Sequence, residues 1–338
     1  MRGPSAGTMH TSPRLRSLLE MAAVRLLQAL LRPVPLRAAS ALGAALGAFL
    51  FHGLRLERRT TLESLAIAFG DRLGPAERLR LAARCYRHFG SLIAEFLCLS
   101  RLPLDDLASF AALENPQALD AALAQGKGAL VVSGHLGNWE LLSAGLAAHR
   151  RPYAAYVGRQ HNTRADDYIN AMRQRMGVGT IPKEAAMRGM LRVLKGGGTL
   201  GIAADQHFSR NRHFVRFFGR PVSAAPGPAS LIQHTGVPAL FGAAVKVGRF
   251  RYVLRLVPLP VPPPSGNDEL DLLRITQAFF DLLEQAVRRH PEQYFWMHRR
   301  WRTPPRDADL SATNRAFLRG DAPAGTAAAS AAPPRAAP

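Results

Sequence analysis

The chain has 338 residues, of which 47% are hydrophobic and 20% are charged. This length and composition exclude a wholly disordered protein and allow one large domain or two modest ones. Its 44 lysine and arginine residues outnumber the 24 acidic ones, and only four of them are lysines. An arginine-rich chain favours partners that carry phosphate, such as anionic lipid headgroups, nucleic acid or an acidic carrier. Cys85 and Cys98 are too few for a disulfide framework or a thiolate zinc site.

The first 60 residues carry two helical patterns. Residues 18–31 have apolar side chains at helical spacing, interrupted by arginines, which is typical of an amphipathic helix in a membrane interface. Residues 38–54 carry no formal charge, but their number is close to the lower limit for crossing the hydrocarbon core. We therefore expect residues 1–60 to associate with a membrane, in a monotopic arrangement in preference to a full span. The alternative is a pair of core helices in a soluble protein.

The middle of the chain alternates between short apolar runs, which predict strands, and longer segments with helical spacing. This alternation predicts an α/β fold with a mixed, largely parallel sheet flanked by helices, in a domain at 61–304. Residues 305–338 are rich in alanine and proline and poor in large apolar residues, so we expect a disordered tail. The predicted strands are 128–133, 153–157, 199–204, 237–247 and 251–257, and the predicted helices are 138–149, 164–176, 185–194, 228–234 and 268–289.

A histidine and a glutamate follow the first of these strands, at the edge where ligands bind in sheets of this kind. We expect His135 in a tight turn between Gly134 and Gly137, with Asn138 placed to cap the next helix and Glu140 in its first turn. In that arrangement the imidazole could act as a general base while the carboxylate fixes its tautomer. The alternative is a capping turn with an incidental histidine.

The segment GHLGNWE at 134–140 resembles the H-x-x-x-x-D/E signature of the lysophospholipid acyltransferase superfamily. It is most similar to the branch of late acyltransferases of bacterial lipid A biosynthesis, the lauroyl and myristoyl transferases. Five further blocks follow in that family's order, and the resemblance covers roughly residues 15–305. These blocks are 158–162, 172–176, 205–206, 217–219 and 291–302.

The resemblance implies an O-acyltransferase that moves a fatty acyl chain from a thioester to a hydroxyl of a phosphorylated glycolipid, a lipid A precursor. Acyl carrier protein is the expected donor, with acyl-coenzyme A as the alternative, and no metal ion or cofactor is implied. His135 would be the general base and Glu140 its orienting partner. The residues expected to bind substrate are Asn138, Arg159, Arg173, Arg175, Asp205 and Gln206.

Two of these roles follow from chemistry together with the resemblance. The negative charge that develops on the carbonyl oxygen needs donors, for which backbone N–H groups at 137–139 and the Arg159 guanidinium are candidates. Arg173 and Arg175 would bind phosphate through their planar, forked guanidinium groups.

The expected location is the inner membrane, with anionic lipids as partners. We expect the catalytic domain to face the cytoplasm, because carriers loaded with an acyl thioester are cytoplasmic. A related acyltransferase acting on another glycolipid, such as a phosphatidylinositol mannoside, is the alternative. A basic protein that binds membranes or nucleic acid is the alternative of another class. We do not expect nucleic acid as a partner, because the sequence shows no helix-turn-helix, zinc-finger or RNP signature.

Overall fold

Residues 13–110 are mostly helical. The computed structural model describes residues 13–149, 152–158, 162–209 and 213–321. Among them, the first five helices are α1 (Pro13–Leu31), α2 (Leu36–His52), α3 (Arg58–Phe69), α4 (Pro75–Leu99) and α5 (Leu104–Phe110).

Helices α2 and α4 touch backbone to backbone. A Cβ atom added at Gly90 would lie 2.1 Å from the carbonyl oxygen of Gly43, and one added at Gly47 would lie 2.0 Å from that of Tyr86. Real side chains do not fit at such distances, so only glycine permits this approach. The glycine-bearing face of α2 is therefore buried against α4.

The opposite face of α2 is apolar and open to solvent. Leu42, Leu46 and Phe49 are 54%, 44% and 56% exposed. Within the described ranges, no helix combines the length and the apolar character that a membrane crossing requires. The association of residues 1–60 with a membrane stays a prediction.

A mixed, mostly parallel sheet forms the centre of the protein, as the alternating pattern predicts. The strands of the described chain are β1 (Ala111–Glu114), β2 (Ala129–Gly137), β3 (Tyr153–Val157), β4 (Gly179–Pro182), β5 (Thr199–Ala203), β6 (His213–Phe217), β7 (Arg220–Ala224), β8 (Ala239–Gly248) and β9 (Arg251–Pro258). Seven of them form the sheet in the order β1-β9-β8-β2-β5-β3-β4, in which only β8 and β9 pair in antiparallel fashion. A separate antiparallel pair is formed by β6 and β7.

Helices cover both faces of this sheet. Besides the first five, the described helices are α6 (Pro116–Leu123), α7 (Trp139–His149), α8 (Thr163–Arg175), α9 (Ala186–Lys195), α10 (Gly227–Thr235), α11 (Asp268–Arg289) and α12 (Ala312–Arg319). Leu130 and Val132 of β2 point into one core with the apolar side chains of α11, whereas Ala129 and Val131 point into the other with those of α7. A strand buried on both faces explains the continuous apolar run at its sequence position.

The predicted strands and helices of the middle region are confirmed, with small shifts at their ends. The largest shift is at the first strand, which continues from 133 to Gly137 and contains His135. The expected tight turn around His135 is therefore wrong. The strand instead changes register between Ser133 and Gly137, and the chain leaves it at Gly137 with a φ of +66°.

The C-terminal tail is more ordered than expected. Residues 312–319 form α12, and Asn314 is buried, exchanging hydrogen bonds with the backbone N–H and carbonyl of Phe214 at 2.9 and 2.8 Å. The expected disorder is wrong for this helix because its tertiary contacts with β6 compensate for a weak local pattern. Residues 322–338 lie outside the described part of the chain.

We expect Gly90→Ala to lower the free energy of unfolding by about 1–3 kcal/mol, because overpacking forces two backbones apart. The matched control is Gly227→Ala, since a Cβ there meets nothing within 4 Å. Denaturant unfolding of the detergent-solubilised protein measures both. Equal stability of the two variants would contradict the close contact of α2 with α4.

Candidate active site

The site begins where β2 leaves the sheet. A Cβ at Gly137 would lie 1.9 Å from the carbonyl oxygen of Ala244, so the chain turns into α7 at a position that only glycine can occupy. The side-chain oxygen of Asn138 then accepts the backbone N–H of Leu141 at 3.0 Å. The expected cap is confirmed. Asn138 is fully buried in this role, and the expectation that it binds substrate is wrong because it presents no surface to a ligand.

His135 and Asp205 form a tight, largely buried pair. The Nδ1 atom of His135 lies 2.6 Å from Oδ1 of Asp205, and the backbone N–H of His135 donates to Oδ2 at 2.9 Å. Asp205 follows β5 and is 2% exposed. A carboxylate that holds both the ring and the backbone of a histidine fixes its orientation and its tautomer.

Electrostatics stabilise the charged form of both partners. Burial by itself would lower the pKa of His135, but the Asp205 carboxylate outweighs it and raises that pKa above its usual value. Burial would raise the pKa of Asp205, but His135, its hydrogen bonds and the Arg300 charge lower it to about 2. Asp205 is therefore ionised, and His135 is a stronger base than a free imidazole.

Glu140 has a different partner from the one expected. Its two carboxylate oxygens bind the guanidinium of Arg173, with Nη2 at 2.6 Å and Nε at 2.9 Å. The expectation that Glu140 orients His135 by direct contact is thus wrong, because Asp205 occupies Nδ1. Glu140 still acts on His135 through space, since its charge contributes to the raised pKa of the imidazole.

This pairing also changes the interpretation of Arg173. Its third nitrogen donates to the side chain of Asn170 at 2.8 Å, so the whole guanidinium fork is engaged within the protein. The expectation that Arg173 is an open phosphate ligand does not fit this geometry. Arg175 is exposed at the end of α8, and Arg159 lies outside the described residues.

Gln206 lies on the other nitrogen of His135. Its Nε2 is 3.1 Å from Nε2 of His135, which makes the amide the donor and the imidazole the acceptor. In its neutral form the ring then carries its proton on Nδ1, toward Asp205, and keeps a lone pair on Nε2. The structure thus brings Asp205 and Gln206 against His135, although the sequence analysis assigned both to substrate binding.

Aromatic rings lie between the His135–Asp205 pair and a cavity of about 1080 Å³. The ring centroid of Trp139 lies 4.7 Å from that of His135, and the ring centroid of Phe295 lies 6.3 Å from it. Both rings line the cavity, which continues along α2 and α4 past Phe89 and Ile93. Sequence reasoning missed this contribution of α4, because its aromatic and aliphatic residues at helical spacing are equally typical of a core helix.

The segment 291–302 lies beside the histidine. The backbone N–H of Phe295 donates to the carbonyl of His135 at 3.0 Å, which attaches this segment to the end of β2. Arg300 is 2% exposed and donates to the Ser223 carbonyl at 2.7 Å, whereas Arg299 is exposed and lines the cavity. This block thus combines buried structural residues with cavity-lining ones.

Comparison with known proteins agrees with this arrangement. Residues 8–303 match the family described as bacterial lipid A biosynthesis acyltransferase. The chain belongs to this family. The match supports the resemblance found from the motifs, and it favours an enzyme over a basic binding protein of another class.

Individual relatives of this acyltransferase carry two kinds of name. A phosphatidylinositol mannoside acyltransferase of Mycobacterium tuberculosis is 28% identical over 60% of this chain and 61% of its own length. The lipid A biosynthesis palmitoleoyltransferase and lauroyltransferase of Escherichia coli are 25% and 22% identical, each over 78% of this chain and 85% of their own. The chain thus spans about three fifths of the mycobacterial proteins that it matches.

We expect Asp205→Asn to lower the pKa of His135 more than Glu140→Gln does. Asp205→Asn removes a charge in direct contact with the ring, whereas Glu140→Gln removes one that acts only through space. NMR titration of labelled histidine rings measures both variants, which are matched because each replaces a carboxylate with an amide. A larger shift in Glu140→Gln would restore Glu140 as the main partner of His135.

Proposed function

We propose that this acyltransferase moves a fatty acyl chain from an acyl thioester to a hydroxyl of a lipid A precursor. The observation that carries the proposal is the geometry of His135, whose Nδ1 faces Asp205 and whose Nε2 faces the Gln206 amide, next to the two rings that line an apolar cavity. A base of this kind suits removal of a hydroxyl proton, and the cavity suits a hydrocarbon chain.

In the proposed reaction the acceptor hydroxyl takes the place of the Gln206 amide at Nε2. His135 removes its proton as the oxygen attacks the thioester carbonyl carbon, and the Asp205 carboxylate stabilises the imidazolium. The tetrahedral intermediate collapses with cleavage of the C–S bond, and the thiolate receives the proton from Nε2. The products are an ester and a free thiol, and the histidine returns to its starting state.

Glu140 and Arg173 act in this proposal as positioning groups. Their bidentate ion pair joins the first turn of α7 to α8, immediately after the strand that carries His135. The negative charge of Glu140 also favours the imidazolium that forms during the reaction. Glu140 thereby keeps a catalytic contribution, although it acts at a distance from the ring.

The donor is proposed to be acyl carrier protein, with acyl-coenzyme A as the alternative. Both deliver the acyl group as a thioester on a pantetheine arm that also carries a phosphate, and the exposed Arg299 and Arg302 line the cavity. Guanidinium groups at the cavity suit a phosphate and an acidic carrier surface. Arg175 remains a candidate for the phosphate of the acceptor, and Arg159 is proposed for the same role or for the carbonyl oxygen.

A second acceptor has specific support. The mycobacterial relatives named for phosphatidylinositol mannoside are as similar to this chain as the lipid A enzymes. A phosphatidylinositol mannoside, also an anionic glycolipid with free hydroxyls, is therefore the alternative acceptor.

The membrane is the proposed place of this reaction. The exposed apolar face of α2, formed by Leu42, Leu46 and Phe49, is followed by the exposed Arg55. Apolar side chains next to arginine suit insertion among acyl chains and contact with anionic headgroups. We propose peripheral attachment to the inner membrane, with the catalytic domain on the cytoplasmic side, where carriers loaded with an acyl thioester are found.

We expect purified wild-type protein to acylate a lipid A precursor when it is given acyl carrier protein or coenzyme A thioesters. His135→Ala should lose this activity almost completely, because the base is removed. His234→Ala is the control, since that histidine is exposed on α10. Mass spectrometry of the lipid products, with phosphatidylinositol mannoside supplied in parallel, measures the transfer. Acylation of the mannoside alone would replace the proposed acceptor, and near wild-type kcat in His135→Ala would reject the general base.

We also expect the triple variant Leu42→Ser, Leu46→Ser and Phe49→Ser to bind vesicles of anionic phospholipid more weakly than the wild type. These side chains are exposed, so their replacement removes apolar surface for the bilayer without opening the core. Val261→Ser, which changes an exposed side chain elsewhere, serves as the control. Vesicle flotation measures binding, and unchanged circular dichroism verifies the fold. Wild-type flotation of the triple variant would show that this face is not the membrane contact.

A further inference from the structure

The proposed reaction needs a hydrogen-bond donor for the carbonyl oxygen of the thioester, because negative charge develops there as the hydroxyl attacks. The backbone N–H at Asn138 was one expected donor. It donates instead to the carbonyl of Ala244 at 2.9 Å, as part of the pairing between β2 and β8. This group is therefore engaged within the sheet and is not available to the carbonyl of a thioester in the cavity.

His298 lines the same cavity and has a defined tautomer. Its Nε2 accepts the backbone N–H of His207 at 3.0 Å. A ring nitrogen that accepts a hydrogen bond carries no proton, so the neutral ring of His298 has its proton on Nδ1. Burial and the charge of Arg300 lower the pKa of His298 to about 4, although the Asp205 carboxylate acts in the opposite direction. The ring is thus a neutral N–H donor near pH 7.

The position of His298 is fixed relative to His135 by two connections. On one side, the backbone N–H of His298 donates to the carbonyl of Phe295, whose own N–H donates to the carbonyl of His135. On the other side, His207 directly follows Gln206, which lies on Nε2 of His135. Both connections lead to the catalytic histidine, and the charge states of the two imidazoles influence each other.

We propose that His298 is a catalytic residue whose Nδ1–H donates a hydrogen bond to the thioester carbonyl oxygen. This inference rests on the acyl transfer proposed above. As the acceptor oxygen attacks, the carbonyl π electrons move onto that oxygen and Nδ1–H stabilises the charge without transferring its proton. When the C–S bond breaks, the electrons return to form the ester carbonyl, and His298 is unchanged.

Two amide variants separate this role from a structural one. An asparagine side chain places its amide near the position of Nδ1, whereas a glutamine side chain places it near Nε2. His298→Asn therefore keeps a donor toward the substrate and loses the contact with His207. His298→Gln keeps an acceptor for His207 and loses the donor.

We expect His298→Gln to lower kcat on the order of 10²–10³-fold with little change in KM, as for loss of one oxyanion donor. His298→Asn should stay within about tenfold of the wild type, because the donor is retained. The opposite order, with Gln active and Asn inactive, would mean that His298 only holds the segment after β5. Wild-type kcat in both variants would also overturn the proposal.

A spectroscopic measurement on the wild-type protein tests the contact without catalysis. A carbonyl that accepts a hydrogen bond has a lower stretching frequency, so a ¹³C-labelled acyl-coenzyme A thioester should shift downward on binding and should shift less in His298→Gln. An unshifted carbonyl in the wild type overturns the role of His298, whichever lipid is the acceptor. A shifted carbonyl together with no acylation of either glycolipid would leave His298 supported and would reject the proposed acceptors.

Discussion

The parallel pairing of β2 with β5 is the constraint on which the site depends. It sets Ser133 opposite Ala203, so that both strands end at the same edge of the sheet. His135 and Asp205, which are 70 residues apart in sequence, come within 2.6 Å for that reason. Because Asp205 holds the backbone N–H of His135 as well as its ring, a slip of either strand would break both hydrogen bonds at once. The register of the sheet thus fixes the geometry of the His135–Asp205 pair.

Helix α4 connects this edge to the N-terminal helices. Near its middle, Nε2 of His88 lies 3.3 Å from the carbonyl of Gly137, and burial lowers the pKa of that histidine to about 4. About two helical turns after His88, the fully buried Glu95 binds Lys246 of β8 at 2.5 Å and Ser40 of α2 at 2.5 Å. A buried ion pair adds little net stability, but loss of either partner leaves an unpaired charge and is costly. This network therefore specifies how α2, α4 and the sheet fit together.

The sequence predicted the fold class and most of the central elements, because apolar periodicity reports directly on burial. It also identified His135 and placed Asp205 at the end of a strand. It failed on the partner of His135, since spacing along the chain suggests local pairs such as His135 with Glu140, whereas the actual partner is set by strand register. The role of Arg173 was missed for a related reason. The sequence around an arginine on a helix does not show which carboxylate will face it in the fold. The helix α12 was missed because its order comes from the contacts of Asn314 with β6 and not from its own composition.

The glycine contact between α2 and α4 has a further consequence for how the enzyme would meet its lipid. The close packing of α2 on α4, together with the hydrogen bond from Ser40 to the buried Glu95, holds the apolar face of α2 at a fixed distance from His135. If that face rests in a bilayer as proposed, the height of the imidazole above the acyl chains is set by the protein itself. The enzyme would then select a hydroxyl by its distance from the membrane surface as well as by its chemistry.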